Sequence, residues 1–220
     1  SGFGGGVVSY FSPKKYAPGS VVNVPFREGI LQALTLSSKD AGASKSELRS
    51  ATFMLKKIKP QTGRHLFTPH LVGSAIQTAK FFLTTPGAVL SNIIPKAVLG
   101  DESMVQQKLK TSSENGALKF ASEAFEASFR ERAEIYLTRI RKEFGHSASV
   151  FLCAPTIEAV KKFSEVFGRE FPNSVYILHS ALGEKKIREA WRAAAASDGP
   201  VLIVATPFCL SLPRPDFALF

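Results

Sequence analysis

Cysteine is scarce. The two in 220 residues, Cys153 and Cys209, lie in unrelated segments without metal-ligand spacing. Neither a disulfide scaffold nor a cysteine-based zinc site is expected; both thiols read as small buried hydrophobes, and the cytoplasm is the expected compartment. No apolar run approaches the ~20 residues of a membrane span. The opening SGFGGGVV lacks a basic region followed by an apolar stretch, so it reads as a flexible lead-in and not as a signal peptide. Carboxylates are scarce in one half only. Residues 1–100 hold 3 Asp+Glu against 12 Lys+Arg, whereas residues 101–220 hold 15 against 16. Of the formal net charge of +10, +9 therefore falls in the first hundred residues. Hydrophobic residues at 45%, charged residues at 21% and a mean hydropathy of +0.05 exclude disordered and collagen-like classes.

A half with four basic residues per acid seeks polyanions, nucleic acid before an anionic membrane. The lack of a basic amphipathic helix with bulky apolar residues weighs against the membrane. A merely solvated basic face is the competing reading.

The pattern along the chain predicts an α/β protein of two modules. Val21–Phe26 and Ile30–Ser37 read as a hairpin around Arg27-Glu28-Gly29, preceded by a Pro18-Gly19 turn, with a third strand over Ala51–Ile58. Thr68-Pro69 opens a helix that Thr84-Thr85-Pro86-Gly87 stops, and a shorter helix spans Ala88–Ile94. This small β-rich domain with closing helices fills residues 1–100, and the polar stretch 101–116 is the expected linker. Residues 117–220 read as a second module. A helix over Ala117–Phe144 precedes the apolar runs Ser149–Ala154, Ser174–His179 and Pro200–Ala205, with helices Ile157–Phe171 and Glu184–Ala196 between them. Continuous hydrophobicity in such runs predicts a parallel βαβαβ sheet covered on both faces, half of a RecA-like or Rossmann-like fold. Its ligands would gather at the strand exits, where Thr156, Ser180 and Thr206 supply hydroxyls that either contact phosphate or cap helices.

These segments, in order, resemble the primosomal replication-restart helicase family (PriA, primosomal protein N′). APGSVVNVPF (17–26) resembles the "pGsrVxVPFG" run of that family's domain for DNA 3′ ends, and PGAVLSNIIP (86–95) resembles its closing "plGxvlxxxlP" segment. EIYLTRI (134–140) resembles the "EVYL" helix, FLCAPTIEAV (151–160) "lvPEIxLT", and VLIVATPFCLSLPRPDFAL (201–219) "ivIGTRSAlfxPxxxLgl". ILHSALGEKKIREAW (177–191) resembles "lHSxLsxxeRxxxW", the most specific single match.

The family's phosphate loop, G-x-T-G-S-G-K-T, corresponds here to Glu126–Ala133, where every glycine is missing. Arg132 stands at the lysine position and Ala133 at the magnesium-binding hydroxyl, while Glu126 and Glu131 would repel a triphosphate. The resemblance implies ATP and magnesium for the family, and the changed loop implies neither for this chain. It also implies DNA, as a fork or 3′ end, and replication-restart proteins as partners. The expected protein is thus a DNA binder with a degenerate ATP site and no catalytic residue. An ATP-dependent helicase completed in a longer chain and a non-enzymatic replication scaffold are the alternatives.

Residue by residue, the resemblance places Ser9 where the family's acid reads a terminal base, with Tyr10 and Phe11 as stacking or core aromatics. Lys14, Lys15 and Arg27 form one phosphate-contacting cluster, and Lys56, Lys57, Lys59 and Arg64 (with His65) a second; each is otherwise a solvated face. His179 and Ser180 stand at a strand exit that contacts DNA in the family, or His179 is simply packed. Trp191 is expected to anchor its helix on the sheet.

Overall fold

The structure, a computed structural model, describes residues 7–42, 55–58, 63–101 and 121–219. Two compact units are present, Ser1–Gln106 with Leu210–Pro213, and Gln107–Cys209 with Arg214–Phe220.

In the first unit, the valine-rich run forms β1 (Ser20–Phe26) and pairs antiparallel with β2 (Gly29–Leu34), from Val21↔Leu34 to Phe26↔Gly29. β3 (Arg64–His65) pairs with the other edge of β1, giving the order β2-β1-β3. Val22 and Val24 point to one face and build a core with Ile58, against which Tyr10, Tyr16 and Ala33 pack. Gly19 closes the sheet. Its φ is +89°, its N–H donates to Thr35 O, and its carbonyl accepts from Leu66 N and Phe67 N. A Cβ there would lie 2.1 Å from Phe67 O, so this turn admits only glycine.

Thr68 caps α1 (Pro69–Phe81), its hydroxyl accepting from Leu71 N at 3.2 Å, as the sequence predicts. The next helix, α2 (Pro86–Ile93), starts two residues before the expected Ala88, because Thr85-Pro86 repeats the same device. A further turn, α3 (Lys96–Leu99), follows Pro95 and was not predicted. β2 stops at Leu34, short of Ser37. Of the predicted third strand, residues 51–54 lie outside the described residues, and Lys57 forms an isolated parallel bridge with Phe11.

In the second unit, α4 (Phe129–Gly145) leads into β4 (Ser149–Cys153), α5 (Ile157–Glu170), β5 (Val175–Leu178), α6 (Glu184–Ala196) and β6 (Leu202–Ala205). This is the parallel alternation read from the sequence. A 3-10 turn at Pro207–Cys209 and an unpredicted strand, β7 (Phe217–Leu219), complete a parallel sheet of order β5-β6-β4-β7. α4 begins at Phe129, and not at Ala117 as predicted. Ser128 ends the extended backbone with a capping box: its hydroxyl accepts from Glu131 N, and the Glu131 carboxylate accepts from Ser128 N at 2.8 Å. The non-helical lead-in folds back on α4, with Phe125 on the Tyr136 ring and Glu123 paired to Arg139.

Ala133 and Ile140 of α4 and Val160, Phe163 and Phe167 of α5 pack on Val150, Leu202 and Val204. α6 packs beside β5 and buries Ile187, Trp191 and Ala194. Cys209 is buried, which pushes its thiol up to about 12. Cys153 corrects the expectation made for it: as the last residue of β4 it is exposed. Among the described residues, no helix is long and apolar enough to cross a membrane.

Candidate nucleic-acid interface

The bridge between Phe11 and Lys57 brings two distant basic segments together. Phe11 N donates to Lys56 O at 3.1 Å, and Ile58 N donates to Phe11 O at 2.8 Å. Extended backbone alternates its side chains, and the two neighbours of this stretch divide accordingly. Tyr10 turns inward against the Val22–Val24 core, and its hydroxyl donates to Pro25 O at 3.1 Å. Phe11 turns outward and is 43% exposed. Ser9, Lys14, Lys15, Lys56 and Lys57 are all exposed. An open aromatic ring between lysines can stack a base while ammonium groups meet the phosphates.

Arg27 occupies the hairpin tip with φ +53°, exposed, its guanidinium 5.6 Å from the centre of the Phe26 ring. Arg64 is placed differently. Its guanidinium donates to Leu99 O at 2.8 Å and to Asp101 O, so it closes the end of α3 and is not free in the manner of the lysines. His65 Nδ1 lies 3.4 Å from the Ser20 hydroxyl. Lys59 lies outside the described residues.

In the second unit the strand exits carry the expected hydroxyls. Thr156 uses its own to cap α5, accepting from Ala159 N at 3.1 Å. Thr156→Ala is expected to cost about 1 kcal/mol of stability while leaving DNA affinity unchanged, with Thr156→Ser near wild type in both. Thermal melts beside DNA titrations check this, and lost DNA affinity at full stability would make Thr156 a contact. His179 is buried, and its Nδ1 meets no hydrogen-bond partner among the described residues. Burial, and then the charge of Lys161, hold its pKa below the ordinary histidine value, so the ring is neutral at pH 7. Ser180 beside it is exposed.

Glu126–Ala133, the stretch that the resemblance sets against a phosphate loop, runs from non-helical backbone through the Ser128 cap into the first residues of α4. Ala133 is a core residue, packed with Ile140 and Val150. Arg132 is half-buried, with its Nε enclosed and lacking a partner among the described residues. The Glu131 carboxylate accepts from Ser128 at the helix N-terminus, and these bonds from the Ser128 side chain and backbone lower its pKa. An anion already sits where a phosphate would seek amides. Among the described residues no cluster of His, Cys, Asp and Glu is placed to hold a metal.

The sequence pattern did not single out two features. One is the exposed Phe81-Phe82-Leu83 ridge ending α1, just before the Thr84–Gly87 stop; helical spacing places Phe82 with the buried Val72, Ala75 and Ala79, yet it is exposed. The other is Arg214, whose partners are far apart in the chain. Against known proteins, the sequence matches no family model, and no curated protein matches it at a significant level.

Proposed function

We propose that this chain is a DNA-binding protein of PriA-like design, engaging forked or 3′-ended DNA through its basic first unit. In this reading the second unit is a RecA-like half-lobe with a degenerate ATP site, and other replication-restart proteins are its partners. The carrying observation is the Phe11–Lys57 bridge, which sets an exposed aromatic among Lys56, Lys57 and the nearby Lys14 and Lys15. The capping box at Ser128–Glu131 supports the loss of ATP binding, since a carboxylate occupies the helix start.

The test is a titration of fluorescent forked DNA with and without a free 3′-hydroxyl. Ser9 is exposed on the same segment, and its rotatable hydroxyl accepts and donates alike. Wild type is expected to prefer the free 3′ end only slightly and to discriminate little among terminal bases. Ser9→Asp places a fixed acceptor there and penalises bases that present acceptors, by ~1–3 kcal/mol. Ser9→Ala should change little. An unchanged base profile in Ser9→Asp at full affinity would show that Ser9 faces no base, and absent fork binding would end the proposal.

A further inference from the structure

The end of α1 is unfavourable twice over. Phe81, Phe82 and Leu83 are 80%, 69% and 96% exposed. Leu83 also has φ +51°, in the left-handed region that bulky side chains avoid. Thr84 N donates to Ala79 O at 2.9 Å and Leu83 N to Lys80 O at 3.4 Å. These bonds put Leu83 at the post-helical position that glycine or asparagine usually takes. Neither the strain nor the exposure helps the unit to fold. Both make sense if the side chain is held out for a contact.

Beside the ridge, a groove of about 280 Å³ runs between α1 and α2, lined by Phe82, Ala88, Val89 and Ile93 with Thr84 and Asn92 among them. A concave apolar site beside protruding aromatics fits side chains of a protein segment better than a flat bilayer surface. Charge narrows the occupant further. From Pro69 to Leu99 there is no Asp or Glu, and Lys80 and Lys96 are exposed. A second copy of the chain would set this basic surface against itself, whereas carboxylates on a partner would complement it.

The geometry points to the ridge and groove as a docking site for an acidic amphipathic segment of a partner protein. Its apolar side chains enter the groove and cover Phe81–Leu83, and its carboxylates answer Lys80 and Lys96. The site is independent of the DNA reading.

The test uses the full chain and a fluorescent peptide of roughly 18 residues, with Leu at helical spacing and Glu between. A second peptide carries Lys in place of every Glu. The acidic peptide is expected to bind, and the lysine peptide to bind at least about tenfold more weakly. Leu83→Gly and Phe82→Ser should each weaken the acidic peptide by about tenfold or more while leaving forked-DNA affinity unchanged. Leu83→Gly relieves the backbone strain, so an unchanged or raised melting temperature separates lost docking from lost folding. Equal binding of the two peptides, or wild-type peptide affinity in both variants, overturns the proposal. It is equally overturned if the variants lose instead DNA affinity, binding to phosphatidylserine vesicles, or self-association in sedimentation.

Discussion

Arg214→Ala is expected to lower the stability of the second unit by about 3–5 kcal/mol. That corresponds to a melting-temperature loss on the order of 15 °C for a domain of this size. The side chain is 7% exposed and its guanidinium is fully engaged. Nη1 donates to Ala194 O at 2.6 Å and Ser197 O at 2.9 Å, and Nη2 to Gly199 O at 3.1 Å. Nε and Nη2 grip the two Asp216 oxygens at 2.9 and 2.6 Å. The carbonyls at the end of α6 have no intrahelical donors, so one arginine closes that helix. Asp216 in turn accepts from the Ser149 hydroxyl at 2.6 Å, and Val201 N donates to that hydroxyl at 3.0 Å. The clasp therefore joins the end of α6, the start of β4 and the approach to β6. Arg214→Lys should recover less than half of the loss, because a point charge cannot reproduce the planar fork.

The same clasp sets an acid dependence. Burial pushes the Asp216 carboxyl up, but the hydrogen bonds from Arg214 and Ser149, with the Arg214 charge, outweigh it and leave the pKa lowered. A lowered folded pKa adds stability that is complete above the ordinary aspartate value, about 3.9, and is lost as pH falls through the folded value. Urea melts at pH 7 and at acid pH should show this loss in wild type and its disappearance in Arg214→Ala. Superimposable curves for the two proteins would deny the clasp any energetic role.

Local signals account for most of what could be read in advance. Thr68-Pro69 announced α1, α5 and α6 begin at the expected Ile157 and Glu184, and three continuous apolar runs became β4, β5 and β6. Thr85-Pro86 carries the same capping chemistry as Thr68-Pro69, but a proline at the end of one helical run also reads as its stop, so the expected start of α2 falls two residues late. Ser128-x-x-Glu131 is a capping box legible in the sequence. Apolar periodicity alone carries a helix from Ala117 across those residues, and the resemblance sets the same stretch against a phosphate loop; the capping box instead starts α4 at Phe129. β7 had no local signal, being three residues long and placed by backbone and side-chain bonds from Ser149 to Asp216.

The candidate site divides along the same line. Charge is additive, so the basic excess could be counted without a structure. The pairing of Phe11 with residues 56–58 is non-local and has no residue pattern of its own, so the two clusters read as separate. Arg64 looked like its lysine neighbours, and only the fold turns it onto the α3 carbonyls. Tyr10 and Phe11 were equivalent in sequence; the strand's alternation sends one to the core and the other outward.

Raising salt from 50 to 200 mM is expected to weaken fork binding by roughly 500-fold if about five phosphates are neutralised, a slope near −4.5 on duplex. Lys14, Lys15, Arg27, Lys56 and Lys57 are the exposed cations that would supply those contacts. Each bound cation releases condensed counterions, so every contact removed should make the slope shallower by about 0.9. The double variant Lys56→Glu/Lys57→Glu should therefore give a slope near −2.7, with affinity lost most at low salt. Arg64→Gln should instead register mainly in stability, because its guanidinium serves Leu99 and Asp101. The control is Lys185→Glu/Lys186→Glu, exposed on α6 in the nearly neutral second half, where fork affinity and slope should hold. Long-range attraction alone would make both double variants equivalent, since each changes the net charge by the same amount. Local contact predicts a difference of about two phosphates in slope between them, measurable from four salt concentrations on one fork. Parallel slopes would detach the Phe11–Lys57 segment from the DNA and leave the basic half as a solvated surface.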